Sequence, residues 1–264
     1  MKLQTLVATM HRTDHSLLEK MNIRSDAIVG NQCDRNEVET FLYQNHQIKW
    51  LSFAERGVGL NRNNTLMRAD GDIVLFADDD VVYCDDYAQT ICHYYETHPE
   101  ADVVIFNFRM RRGNGEYYER VRKEGRANSW SVTRYGTYCI SARTEKLKLA
   151  NVHFHLMFGG GSRFSSGEDS IFLQDCIKKG LKVYTCRKII GTLDHGQSTW
   201  FQGYTDKFFY DKGVAFAMIS KSLAVPYAAY HCLKHRKLYS GYGWNKGFRK
   251  MCEGIRYIRS QNIR

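Results

Sequence analysis

Proline is nearly missing from this chain, with two residues in 264. No proline-rich spacer is possible, and no glycine- or serine-rich tract divides the sequence, so nothing marks a tethered array of domains. The eight cysteines (33, 84, 92, 139, 176, 186, 232, 252) contain no Cys-x-x-Cys pair and no regular spacing. That argues against a disulfide framework. With no secretory apolar run after Met1, they read as reduced thiols, mostly small core residues. A chain this long buries roughly three quarters of its unfolded surface and needs no disulfide or structural metal to fold. Long apolar runs are also lacking. The stretch from Val214 to Leu233 approaches spanning length but is interrupted by Lys221, Pro226 and His231, so an interfacial or core helix is expected there.

Acid is scarce at one end. From Tyr230 to Arg264 there are nine basic residues and a single acid, Glu253, so this tail carries +8 of the net +10. The body is close to neutral and the tail is a cationic device. Apolar residues make up 43%, aromatic residues 13% and charged residues 25% of the chain. Those proportions belong to a globular domain and exclude disorder, collagen and coiled coil.

Short apolar runs alternate with helical spacing, the pattern of an α/β fold with a mostly parallel central sheet flanked by helices. Strands are expected at Leu3–Ala8, Asp26–Val29, Ile48–Ser52, Ile73–Ala77, Val103–Phe108, Val183–Thr185 and Ile189–Leu193. Helices are expected near Asn61–Ala69, over Asp85–Thr97 and from Glu168-Asp169 to Gly180, with Gly113–Ser129 a long surface loop or hairpin. The chain divides into a body, 1–200, and a helical basic extension, 201–264.

Asp78-Asp79-Asp80 follows the apolar run Ile73–Ala77 directly. Three adjacent carboxylates at the end of a strand repel one another and call for a cation, and the crevice beyond the strand ends is where open α/β sheets bind ligands. Hard oxygen donors suit Mg²⁺ or Mn²⁺. A solvated acidic turn would carry the same residues. Upstream, Glu55-Arg56-Gly57-Val58-Gly59-Leu60-Asn61-Arg62-Asn63-Asn64 is rich in amides, guanidinium groups and glycine. Such a turn into a helix can approach phosphate or sugar, with Arg62 and Asn63 the candidates.

These motifs in this order resemble the inverting family 2 glycosyltransferases of the GT-A fold, the bacterial surface-polysaccharide type. The family's N-x-G-x-x-x-A-R-N corresponds to Glu55–Asn63, its A-x-G-[DE] to Ala69-Asp70-Gly71-Asp72, and its Asp-x-Asp motif to Asp78-Asp79-Asp80. A later G-x-G, G-E-D, helix and K-K-x-G-x-K-V correspond to Gly159-Gly160-Gly161, Gly167-Glu168-Asp169, Ser170–Lys179 and Gly180–Val183. The resemblance covers about residues 3–200. Glu55 and Asn61 depart from it, as does the second strand, which reads Val29-Gly30-Asn31-Gln32-Cys33-Asp34 where the family has V-D-D-x-S. An amide of Asn31 or Gln32 in place of that aspartate could hydrogen-bond a uracil edge.

The resemblance implies a nucleotide-sugar donor, UDP-linked, and transfer with inversion to a hydroxyl of a glycan or lipid-linked saccharide. It implies Asp169 as general base with Glu168 orienting sugar or acceptor, and Mn²⁺ or Mg²⁺ on Asp78 and Asp80, with His195 a further metal or diphosphate contact. Thr9, Asn31, Gln32, Arg62, Asn63, Asp78 and Asp79 are the implied donor-binding positions. A sugar-nucleotide pyrophosphorylase would carry a Gly-rich loop where this chain has Thr9-Met10-His11-Arg12-Thr13-Asp14. A nucleic-acid binder could use the aromatic residues of the basic tail for stacking, but the ordered acidic motifs of the body are not expected of one. The tail, with Trp244, Phe248, Met251, Ile255 and Ile258 three or four residues apart, is expected to form a helix. That helix would hold a cytoplasmic enzyme at the anionic inner face of the plasma membrane or pack on the body.

Overall fold

The computed structural model describes residues 1–111, 115–194 and 203–261. In chain order the first elements are β1 (Leu3–Met10), α1 (Leu17–Lys20), β2 (Asp26–Gln32), β3 (Glu37–Tyr43), β4 (His46–Phe53), α2 (Val58–Met67), β5 (Ile73–Asp78), β6 (Val81–Tyr83) and α3 (Tyr87–Thr97). There follow β7 (Val103–Arg111), the two-residue strands β8 (Tyr117–Tyr118) and β9 (Gly125–Arg126), β10 (Ile140–Arg143), α4 (Thr144–Leu149), α5 (Glu168–Lys178) and β11 (Val183–Asp194). Three helices close the chain: α6 (Asp206–Ile219), α7 (Ala224–Lys234) and α8 (Trp244–Ser260).

The strands form one sheet with neighbours in the order β3-β4-β2-β1-β5-β10-β7-β11-β6, β8 lying on β7 and β9 on β11. Its centre, β4-β2-β1-β5, is the parallel block the sequence predicts. Apart from β7 and β11, which pair parallel, the strands added outside that block pair antiparallel. β1 and β5 are buried along nearly their whole length; Ile73–Ala77 of β5 is an unbroken apolar run, whereas β1 carries Gln4, Thr5 and Thr9 among its buried residues. β3 has an alternating, half-exposed pattern and turns into β4 through Gln44 and Asn45, both with positive φ. A two-residue hairpin of that kind makes an antiparallel edge that a search for apolar runs passes over. The two strands expected at Val183–Thr185 and Ile189–Leu193 are one, β11, with irregular register against β7 between Thr185 and Thr192.

Two apolar clusters hold the protein together. One fills the sheet and its flanking helices. The other joins α6–α8 to Phe158, Phe164 and Ile171. The Val214–Leu233 stretch is two helices, α6 and α7, rather than one, and no described helix is long and apolar enough to cross a membrane. In α8, Met251, Ile255 and Ile258 are at most 1% exposed. They face α6, where a side chain at Gly213 would stand 2.0 Å from the Met251 carbonyl oxygen and one at Gly254 would stand 2.2 Å from that of Tyr210. The backbones touch, so Met251, Ile255 and Ile258 of the apolar stripe are occupied in folding, as the amphipathic pattern equally permits, while Phe248 is half-buried and Trp244 exposed.

Candidate active site

The parallel register brings the C-terminal ends of β1, β2 and β5 together, setting Thr9 beside Asn31, Met10 beside Gln32, and Asp78 beside Ala8. Asp78 ends β5 and receives a hydrogen bond from Arg62 Nη2 at 2.5 Å. Arg62, on α2, is 5% exposed at its side chain, and its Nη1 lies 3.5 Å from Glu168 Oε1 and 3.7 Å from Asp169 Oδ1. One guanidinium thus joins the strand-end carboxylate to the acidic pair of α5. Burial works against the arginine's charge, but Asp78, Asp169 and Glu168 outweigh it and raise its pKa.

The acidic pair begins α5 immediately after Gly167, whose φ of 116° suits glycine. The Thr137 hydroxyl donates to Asp169 Oδ1. Burial lifts the Glu168 pKa up to about 7, with the charge of Asp169 adding to it and Arg62 opposing. Burial raises Asp169 as well, against Arg62, Thr137 and Lys212. A carboxyl group with its pKa near neutrality is suited to exchanging a proton with substrate.

The acidic triplet divides its tasks. Asp79 Oδ2 accepts from Thr9 Oγ1 at 2.6 Å and from Arg12 Nη2 at 2.8 Å, so Thr9 and Asp79 fasten the β1 end to the β5 turn. Asp80 reaches solvent but is crowded by protein on its other sides. Lost hydration, then the charges of Asp78 and Asp79, push its pKa up to about 6. Among the described residues no group of three or more His, Cys, Asp or Glu side chains is placed to hold a metal, and His195 lies outside the described residues. Two hard carboxylates, one of them destabilised by its own neighbours, still fit an Mg²⁺ or Mn²⁺ ion that keeps water and phosphate as its other ligands.

Two expected donor contacts prove to be braces. Asn31 is fully buried: its Oδ1 accepts from Arg12 N, and its Nδ2 donates to Arg12 O and Ser52 Oγ. Its amide has no face left for a nucleobase. Asn63 pairs in the same reciprocal way with Phe154 N and O, at 2.8 Å each. Gln32 remains available. Its Oε1 accepts from Gly57 N at 2.8 Å, and it helps line a cavity of about 330 Å³ with Met10, His11, Cys33, Glu55 and Arg56. The sequence reading missed Arg12, Thr137 and Lys212. Arg12 alone had a local signal, one turn-length after the first strand; the other two reach the site from distant segments.

The sequence profile described as Glycosyl transferase family 2 matches residues 8–165, more than half of the chain. The chain belongs to that family. The match spans Arg62 and the acidic triplet and stops short of Glu168-Asp169. No curated protein sequence matches. Among solved structures, S. aureus TarS 1–349 in complex with UDP-GlcNAc is similar at a TM-score of 0.62 and 16% identity, over 83% of this chain and 66% of that one. The same fragment in complex with UDP gives 0.59. The mannosyltransferase PcManGT from Pyrobaculum calidifontis, in complex with GDP-Man and Mn²⁺, is similar at 0.51 and 10% identity, over 98% of this chain and 76% of that one. The chain spans slightly less than two thirds of the TarS fragment's length. At these identities the likeness shows the fold, which is GT-A.

Proposed function

We propose that this family 2 glycosyltransferase moves a sugar from a nucleoside diphosphate, UDP in the first instance, to a hydroxyl of a glycan or lipid-linked saccharide, with inversion. The observation that carries this reading is the bridge made by Arg62 between Asp78 and the Glu168–Asp169 pair. It gathers around one buried cation the carboxylates to which this reading gives the roles of proton acceptor and diphosphate-side ligand. In the step, the acceptor oxygen forms a bond to the anomeric carbon as the bond to diphosphate breaks. The acceptor proton passes to Asp169, and the electron pair leaves with the nucleoside diphosphate. Glu168 orients the acceptor, and Arg62 holds the two acidic segments at a fixed separation.

Asp78 and Asp80 would hold the Mn²⁺ or Mg²⁺ ion, which when bound neutralises charge growing on the leaving diphosphate. The Mn²⁺ and GDP-Man bound by PcManGT, and the UDP and UDP-GlcNAc bound by TarS, support this assignment of donor class. The 330 Å³ cavity containing Gln32 is the proposed nucleobase site. The test is a screen of sugar nucleotides for Mn²⁺-dependent release of nucleoside diphosphate, repeated with Asp169→Asn. Release that needs no metal, or that Asp169→Asn leaves unchanged, overturns the reading.

The membrane-facing surface is proposed to be the α7 side of the extension. There Tyr230, Leu233 and Leu238 are 60%, 53% and 56% exposed, among the exposed cations Lys234, Arg236 and Lys237. Each cation near an anionic leaflet contributes roughly 1 kcal/mol, and the apolar side chains supply interfacial contact. A cytoplasmic enzyme held at the inner face of the plasma membrane follows from that reading.

A further inference from the structure

A second cavity lies away from the acidic cluster. It measures about 500 Å³ and sits between the end of α3, the turn entering β9 and β11, a size that suits a small organic ligand. From α3 and the residue after it come His93, Tyr94, Thr97 and His98, spaced to share one helix face. Tyr184, Cys186 and Lys188 alternate along β11 and line the cavity from the sheet side. Tyr184 stands in one row with Val104, Ser141 and Leu75 across β7, β10 and β5. Asp78 lies three residues further along β5, so strand rise and strand spacing separate Tyr184 from it by roughly 15–20 Å.

The groups lining this cavity are held in place but not used up. Tyr94 is 9% exposed. Its ring stacks on His98 at 4.1 Å between centroids and meets Phe106 edge-on at 5.6 Å. His98 is fixed in turn, with Nδ1 3.0 Å from both Thr97 Oγ1 and Tyr94 O. The Tyr94 hydroxyl has no hydrogen-bond partner among the described residues, although the residue around it is nine-tenths buried. Burial, then Cys186 and Glu124, push its pKa up to about 12, which keeps it a donor. Glu124 Oε1 accepts from Arg187 N at 2.9 Å, leaving Oε2 for a ligand. Thr185 Oγ1 donates to Lys123 O at 2.9 Å and to Gly125 O at 3.1 Å, so the turn carrying Glu124 is fastened to β11. Lys188 is exposed and Tyr184 half-buried, and neither side chain has a hydrogen bond or ion pair among the described residues.

Charge and shape narrow the ligand. One carboxylate, Glu124, faces one ammonium, Lys188, so the cavity favours neither an anion nor a cation. Its unpaired polar groups would be stranded beneath a lipid chain. A sugar suits it: the C–H face of the ring packs on phenol rings, while its hydroxyls both donate and accept. We propose that this cavity is a second saccharide site, holding an uncharged oligosaccharide away from the carboxylates that carry out transfer. That the oligosaccharide is part of the glycan being built rests on the proposed function; the preference for a sugar does not.

The experiment measures binding to the full chain by calorimetry and saturation-transfer NMR. Cellotetraose, maltotetraose and chitotetraose are the probes, with the methyl glycosides of the same sugars, each alone and with UDP and Mn²⁺. At least one tetrasaccharide is expected to bind with a Kd below about 1 mM and about tenfold tighter than its methyl glycoside. UDP with Mn²⁺ should change that Kd by less than about twofold, because the two sites are separate. Tyr94→Phe keeps the ring and removes the hydroxyl, and should weaken binding about fivefold. Glu124→Gln and Lys188→Ala, at exposed positions that leave the fold intact, should each weaken it about threefold or more. Tyr184→Ala should weaken it about tenfold.

The proposal is overturned if no tetrasaccharide binds at about 10 mM, or if the methyl glycosides bind as tightly. Displacement by UDP and Mn²⁺ also overturns it, since the sugar would then sit at the donor or acceptor position. So does an affinity that all four variants leave unchanged. The two readings fail separately. Binding that needs Tyr94 and Lys188, in a protein that hydrolyses no sugar nucleotide, keeps the cavity site and removes the proposed reaction. Donor hydrolysis that Asp169→Asn abolishes, with tetrasaccharide binding indifferent to the four variants, removes the cavity site alone.

Discussion

Arg62 Nη2 sits 2.5 Å from Asp78 Oδ1. The remaining carboxylate contacts of the same guanidinium run to Glu168 and Asp169, more than a hundred positions later in the chain, so one α2 side chain sets the spacing of the three carboxylates.

Arg62→Gln is expected to lower turnover by at least about 100-fold and to destabilise the fold by about 3–5 kcal/mol at pH 8, the usual cost of leaving a buried charge without its partner. The pH dependence follows from Glu168, whose pKa already stands at about 7. Without Arg62 it rises further and the carboxyls can protonate, so the defect shrinks between pH 8 and pH 5.5. Urea unfolding at the two pH values measures this; a defect independent of pH contradicts it.

Asp169→Asn keeps the shape and the hydrogen bond from Thr137 but cannot take a proton. Turnover should fall by about 100-fold or more while UDP affinity, read by calorimetry, changes by less than about threefold. Equal losses of binding and turnover would make Asp169 a helix-start residue only.

Asp80→Asn should abolish metal-dependent binding of UDP while leaving the protein folded. The Asp80 pKa is raised from 3.8 to about 6, so its ionised form is disfavoured in the folded state. The stability it contributes when protonated is lost as pH rises through that interval. Relative to wild type, the asparagine variant should therefore melt higher at pH 8 and the same at pH 3.5. Thermal scans with and without Mn²⁺ separate the two effects.

Gly213→Ala places a methyl group 2.0 Å from the Met251 carbonyl oxygen. Forcing α6 and α8 apart should cost about 1–3 kcal/mol or more, whereas Gly241→Ala, with open space around it, should be nearly neutral. Denaturant midpoints of the two variants decide the matter.

Reversing Lys234, Arg236 and Lys237 to glutamate should remove binding to vesicles containing anionic lipid, with melting temperature and donor hydrolysis retained. Truncation after Tyr230, by contrast, should unfold the extension, since it deletes Met251, Ile255 and Ile258 from the second apolar cluster. Vesicle binding that ignores both charge and salt rules out the electrostatic attachment.

The sequence by itself determined the parallel centre of the sheet, because strands buried on both faces are written mainly in apolar residues, as Leu6–Ala8 of β1 and Ile73–Ala77 of β5 are. It also determined the acidic triplet and the Glu168–Asp169 pair, whose chemistry is visible in residue type and order. The hairpin strand β3 was less legible, since its edge position leaves it half-polar. Only the tertiary structure decided which polar groups are free to act. Asn31 and Gln32 are adjacent amides, and strand alternation sends one inward to clamp Arg12 and leaves the other lining a cavity. The same holds for the extension. An amphipathic stripe states that a face will be covered and not by what, and the close contact of Gly213 with Gly254's helix settles it in favour of α6. The approach of Arg62 to Glu168 and Asp169 is of the same kind, a meeting no local pattern encodes because it depends on how α2 and α5, more than a hundred positions apart, register against each other.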